Sequence, residues 1–402
     1  MSDSPPDHPA SPPDHPAEDA AKGPPRGTAT RPRLALAVPS EPPPGAAEPP
    51  GLPAGADGRT LWAALGAAGR LRGAYVGGDP AAGVDVPVLR RLMADADAVS
   101  GIGTTLALCV QIATAVPLLT LGGEQAALVL DEALAGRSVL ALAATDEGSG
   151  SDLTGLSTTV TIEQGGLTVS GVKRWITNAT HADHFLVLAR HREGSHFTNF
   201  TWVLVPATAA GVSIEPADSE LFDGSGTGHL RLDGVRLPRT HLVGRVGRGM
   251  TSFAAHIAVE RLTGTLWAVA LCRRQLQQAR KSLRERRFGD GTLWSLESVR
   301  QSFADCLVRA HQLDALTERL AERVARRHDT AAASVLKASA AQTVAHVLGI
   351  CAQLQGSEGF ATGGAQWTRA QAALWSIGGG ATEVVLSAVA GAAEPLLAEL
   401  AP

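Results

Sequence analysis

The stretch LTVSGVKRWITNATHADHFLVLARH, Leu167–His191, decides how this chain is divided. Its apolar and β-branched residues alternate with polar ones around an Asn-Ala-Thr turn, so it reads as strand, turn, strand. FTNFTWVLVPATAAGVSIEP (Phe197–Pro216) and HLRLDGVRLP (His229–Pro238) continue the pattern. About seven short strands are expected over 141–243, a small β-barrel or sandwich.

Outward from this block the period changes. LWAALGAAGRLRG, the run Val86–Leu119 and GGEQAALVLDEALAG space apolar residues by three and four, predicting a helical domain over 58–140. On the other side, Met250–Arg287, Leu296–Arg327 and Thr330–Gly356 read as long helices, with a fourth from Thr382. Together they predict an antiparallel four-helix bundle over 244–402. The expected fold is mainly α with a central β domain. Residues 1–57 differ in kind: SPPDHPA occurs twice and Pro-rich runs follow, so a disordered tail is expected.

The chain has 402 residues and a formal net charge of -4, with no arginine-rich stripe among aromatics, which argues against a nucleic-acid binder. Lysine occurs only at Lys22, Lys173, Lys281 and Lys337; arginine carries the remaining positive charge. Cys109, Cys272, Cys306 and Cys351 show no metal-ligand spacing and read as free thiols in a reducing compartment. No charged start followed by an apolar run opens the sequence, so no signal peptide is expected. Its apolar runs meet charges or glycines before the roughly 20 residues that span a bilayer. A cytoplasmic protein with no membrane partner and no metal is expected.

Five short segments carry chemistry. TDEGSGSD (Thr145–Asp152) ends a strand in a Gly/Ser turn whose amides can face an acceptor, with hydroxyls at Thr145 and Ser151. In GVKRWITN (Gly171–Asn178), alternation puts Trp175 and Thr177 on one face, a flat ring beside a hydroxyl. A planar cofactor could stack there; a lone tryptophan also suits a core. RERRFG (Arg284–Gly289) ends a long helix in charge. QLQGSEGF (Gln353–Phe360) ends another, and IGGG (Ile377–Gly380) breaks the last helical region, since helical glycine costs about 1 kcal/mol against alanine.

In this order and context, the segments resemble those of the acyl-CoA dehydrogenase family. The resemblance implies a helical domain, a β-barrel and a four-helix bundle that bind FAD. It implies that Thr145 and Thr177 bond the flavin, that Trp175 packs on it, and that Ser151 lies near flavin and substrate. Arg286, Phe288, Gln353, Gly356, Gly380 and Glu383 fall on cofactor-binding segments, with Arg286 reaching the FAD diphosphate of a neighbouring subunit in a homotetramer or homodimer. The implied reaction removes an α-proton and a β-hydride from an acyl thioester, the hydride passing to flavin N5. The carrier is coenzyme A or an acyl carrier protein, and an electron-transfer flavoprotein or another acceptor reoxidises the flavin.

Many members carry the base on the terminal turn, which here falls on Gly379. A glycine cannot take a proton, although its N–H can donate to the thioester carbonyl. Other branches place the base on the first bundle helix just before an arginine, where this chain has Glu260 and Arg261 among Ile257, Ala258, Val259 and Leu262. Apolar surroundings raise a carboxyl pKa toward that of a base useful near neutrality. Glu260 is therefore the expected base, with Arg261 near the substrate; a solvated helix-face Glu–Arg pair is the plain alternative. Ala370, Gln371, Glu297, Ser357 and Ala381 depart from the family pattern at its subunit interface and dinucleotide site. A flavin monooxygenase of the same superfamily and a non-catalytic partner subunit of a related dehydrogenase are the competing readings.

Overall fold

The Asp57 carboxylate accepts from the Thr60 amide at 2.8 Å and so caps α1 (Gly58–Ala67). The computed structural model describes residues 51–148, 150 and 152–401; most of the expected tail lies outside the described residues. After α1 come α2 (Arg70–Gly73), α3 (Val86–Val99) and α4 (Ile102–Val110). A π-turn, Gln111–Ala115, carries α4 into α5 (Val116–Leu119), and α6 (Glu124–Leu134) completes this part.

Eight strands then form one sheet, against about seven expected: β1 (Leu140–Ala143), β2 (Thr159–Glu163), β3 (Gly166–Ile176), β4 (His184–Arg190), β5 (Phe200–Pro206), β6 (Val212–Pro216), β7 (Gly228–Leu237) and β8 (Leu242–Val243). The hydrogen-bonded order is β6-β7-β3-β2-β4-β5-β8, and β1 pairs with β4 in parallel. β4 and β5 are antiparallel, from His184 opposite Pro206 to Arg190 opposite Phe200. Phe185, Val187 and Ala189 face the core within the sheet, whereas Leu186 and Leu188 join the core shared with the helices. Burial on both faces explains the unbroken apolar run of β4.

α7 (Gly249–Glu285) leads through a hairpin, β9 (Arg287–Phe288) and β10 (Gly291–Thr292), to α8 (Glu297–Arg327) and α9 (Thr330–Gln355). α7, α8 and α9 pack against one another, and α3 lies on α7. Short helices follow: α10 (Ala365–Gln371), α11 (Leu374–Ile377), α12 (Thr382–Gly391) and α13 (Ala393–Ala398). The fourth bundle helix is thus α12, which packs on α9 through Val385 and is otherwise open.

Among the described residues, three helical stretches are long and apolar enough to cross a membrane, although the sequence pattern suggested interrupted runs. The most apolar 18-residue window is 89% buried within the protein in Ile102–Leu119, 61% in Thr330–Phe360 and only 17% in Ala365–Gly391. The four cysteines are free and buried.

Candidate active site

Glu260 sits on α7 where that helix passes α4 and the turn after α11. Its carboxyl lines a small cavity with Leu106 and Cys109 of α4, Trp267 of α7, Trp375 of α11, and Gly379. Burial pushes the Glu260 pKa up to about 7, against the opposing pull of the Arg261 charge and of the Thr114 hydroxyl. Thr114 belongs to the π-turn, so this irregular turn sets a polar atom beside the acid. Leu106 faces the cavity, whereas Leu108 and Ile112 lie in the core.

Arg261 holds the glycine turn. Its Nε donates to the Gly379 carbonyl at 3.0 Å and its Nη1 to Ser334 Oγ at 3.1 Å. Expected near substrate, Arg261 lines the cavity but aims these donors at the protein. Gly379 and Gly380 have φ of 70° and 106°, left-handed values that favour glycine. A Cβ on Gly379 would lie 3.9 Å from Glu260 Oε1 and 3.7 Å from Arg261 Cγ. An acidic side chain at 379 would therefore enter the space that the Glu260 carboxylate fills. Gly380 shares the turn, and a Cβ there would come 3.2 Å from Arg261 Nη2. Glu383 follows, exposed in the first turn of α12.

At the sheet, Thr145 is half-buried and its carbonyl accepts from the Arg174 amide at 3.1 Å. Next to it, Asp146 pairs with Lys173 at 2.5 Å, both side chains fully buried. Asp146 also accepts from the Ser157 and Thr158 amides, fixing the loop's return. Ser151 lies outside the described residues. Trp175 has φ 56° and is 58% exposed, with its ring edge-on to His229 at 5.4 Å. The expected shared face of Trp175 and Thr177 does not hold. The pairing of β3 with β7 shifts register between Lys173 and Ile176, Trp175 turns left-handed, and Thr177 falls in the turn beyond the strand. An irregularity of this kind re-aims a side chain; here it turns the indole outward.

The third group gathers at the end of α9. Arg286 Nη1 donates to the carbonyls of Gln355 at 2.8 Å and Leu354 at 3.3 Å. Within this copy the Arg286 guanidinium lies on the end of α9, drawn by carbonyls that carry the helix's partial negative charge. Gly356, φ 60°, ends α9 beside it; Gln353 and Phe288 are exposed. Along α7, Glu260 and Arg286 are about 39 Å apart at 1.5 Å per residue. Within one copy they belong to separate sites.

α4 links the first two groups. Asn178, just past β3, donates from Nδ2 to the Ala107 carbonyl at 3.0 Å, while flanking Leu106 and Cys109 face the Glu260 cavity. Sequence reasoning missed Thr114, Lys337, Trp267 and Trp375. Lys337 is buried, lines the cavity and donates from Nζ to the Trp375 carbonyl at 2.7 Å; burial lowers its pKa to about 8. A signal existed for the lysines: two of the chain's four, Lys173 and Lys337, sit in apolar segments.

Comparison with known proteins gives a consistent picture. Residues 141–235 match the family model of the acyl-CoA dehydrogenase middle domain, and 247–393 that of the acyl-CoA dehydrogenase C-terminal domain. The acyl-[acyl-carrier-protein] dehydrogenase MbtN of Mycobacterium tuberculosis is 30% identical over 275 residues, 66% of this chain and 69% of the relative. Cyclohexane-1-carbonyl-CoA dehydrogenase of Geobacter metallireducens is 27% identical, over 54% of this chain and 58% of its own. Among solved structures, acyl-CoA dehydrogenase from Geobacillus kaustophilus superposes with a TM-score of 0.78 at 19% identity, covering 85% of this chain and 91% of that one. The FAD complex of PigA gives 0.78 at 19% identity, covering 84% and 89%.

Proposed function

The chain belongs to the acyl-CoA dehydrogenase family, and from that premise we propose that it desaturates an acyl thioester, with Glu260 as the proton acceptor. One observation carries the reading: the Glu260 carboxyl stands in an apolar cavity with its pKa raised to about 7, beside the glycine that replaces an acid on the turn. A solvated carboxylate near pKa 4.5 is a weak base; desolvation brings it into the range where proton abstraction at neutral pH is efficient. The name of the MbtN relatives supports a thioester on an acyl carrier protein.

The residues at the sheet suit FAD. Trp175 is a large flat ring held outward in a left-handed conformation, a cost of about 1–3 kcal/mol for a non-glycine residue that a stacked planar ligand would offset. Thr145 and Thr177 bring hydroxyls for its edge. FAD, when bound, supplies the two-electron acceptor for the β-hydride, and an electron-transfer flavoprotein would take the electrons onward.

The chain's own groups do the rest. The apolar lining of the cavity leaves Glu260 only partly exposed. Arg261 fixes the Gly379 carbonyl, and so the plane of the turn that faces the thioester. Glu260 accepts the α-proton as the α–β bond becomes double. The test is anaerobic mixing of the yellow protein with acyl-pantetheine thioesters. Wild type bleaches; Glu260→Gln keeps its FAD and slows by about 10²–10⁴-fold or more. Bleaching at the wild-type rate in that variant removes Glu260 from the mechanism.

A further inference from the structure

Below Glu260 the cavity ends on two tryptophans. Glu260, Gly264 and Trp267 recur at four and three residues, so they stack along one face of α7. Gly264 leaves a gap where a Cβ would meet nothing within 4 Å. Trp267 then closes the bottom, 1% exposed, its ring 4.3 Å from that of Trp375.

Both rings are fixed by hydrogen bonds. Trp267 Nε1 donates to Asp97 Oδ1 at 3.1 Å, and Arg274 holds Asp97 by two bonds at 2.7 and 3.0 Å. Trp375 Nε1 donates to the Gly264 carbonyl at 2.9 Å, while Lys337 binds the Trp375 carbonyl. Displacing either ring would break a buried hydrogen bond and leave a polar group unsatisfied. The floor is therefore stiff, unlike one built of Leu or Met.

The cavity offers about 60 Å³ to the centres of water-sized groups. At roughly 10–15 Å³ each, that holds about four to six such groups. We propose that Trp267 and Trp375 are specificity-determining residues that limit the substrate to short acyl groups of about three to five carbons. This rests on the reading of Glu260 as the base, because it takes the cavity beneath that carboxyl as the acyl site. Gly264 provides the only relief between acid and floor on that face of α7: room for a chain, but not for a long one.

The test uses the FAD-loaded protein with butanoyl- and decanoyl-pantetheine, read by calorimetric binding and, separately, by anaerobic bleaching. Wild type should favour butanoyl by about 100-fold or more, the scale of forcing extra methylenes into a filled site. Trp375→Leu should shrink that preference to less than about tenfold, in line with the volume it frees. Gly264→Ala adds a methyl to the open gap and improves helix propensity. It should keep or raise Tm yet weaken butanoyl binding by about tenfold or more. Equal binding of the two thioesters by wild type, or undiminished butanoyl binding by a folded Gly264→Ala, overturns the proposal. Preferential butanoyl binding without bleaching would retain the floor and sink the dehydrogenation instead.

Discussion

Asp146 and Glu260 are both drawn out of bulk water, and their environments drive them in opposite directions. Asp146 lies between the first strand and the flavin-type loop; Glu260 lies between α4 and the glycine turn. Burial works upward on both. At Asp146 the Lys173 charge and hydrogen bonds from Lys173 and Thr158 outweigh it, and the carboxyl stays below its usual range. At Glu260 the neighbouring cation is turned away: Arg261 aims Nε at the Gly379 carbonyl, so burial wins and the pKa rises to about 7. A buried acid becomes structural or reactive according to where its nearest cation points, more than according to how deeply it lies.

The largest effect should come from breaking the structural pair. Lys173→Met leaves the buried Asp146 charge without its cation and should cost about 3–5 kcal/mol, seen as a large fall in the urea midpoint. Asp146→Asn in the same chain should restore part of it. If Lys173→Met is as stable as wild type, the two sites do not differ in the way described.

Next in size is the opposite sign at Glu260. Its folded pKa exceeds the unfolded value, so the folded state holds the extra proton between about pH 4.5 and pH 7 and stability falls as pH rises through that window. Glu260→Gln removes this loss. The variant should gain about 1–3 kcal/mol over wild type near pH 8 and little near pH 4.5, measured by urea unfolding at each pH. Asp146→Asn should lower stability at both. A gain at Glu260 that is independent of pH would place its burial, and not its charge, at issue.

Smaller changes tune the acid. Arg261→Met removes the nearest positive charge, so the pH midpoint of flavin reduction should move up by about one unit. Thr114→Val removes the hydroxyl that favours the ionised form, and the midpoint should rise by about half a unit. A downward move in either profile would mean that these groups do not act on Glu260.

Most of the architecture was readable from periodicity, because apolar spacing changes from three and four to two and back again. Glu260 was singled out through the family resemblance, which looks for an acid before an arginine on the first bundle helix once the turn has lost its own. The short strand β8 was not readable, for two residues carry no period. The outward turn of Trp175 was hidden because a register shift against β7 depends on the partner strand. The contact of Arg286 with the end of α9 was hidden for a similar reason: the carbonyls it binds belong to a helix about 68 residues further on. The two tryptophans meet only through the packing of α11 against α7, which no local pattern encodes.

The most direct test follows the carboxyl itself. The infrared carboxylic-acid band of wild type minus Glu260→Gln should titrate once, with a midpoint near pH 7. A midpoint near 4.5, the value of a solvated glutamate, would mean that Glu260 is ionised and hydrated at neutral pH, and the cavity would then contain no base of the kind proposed.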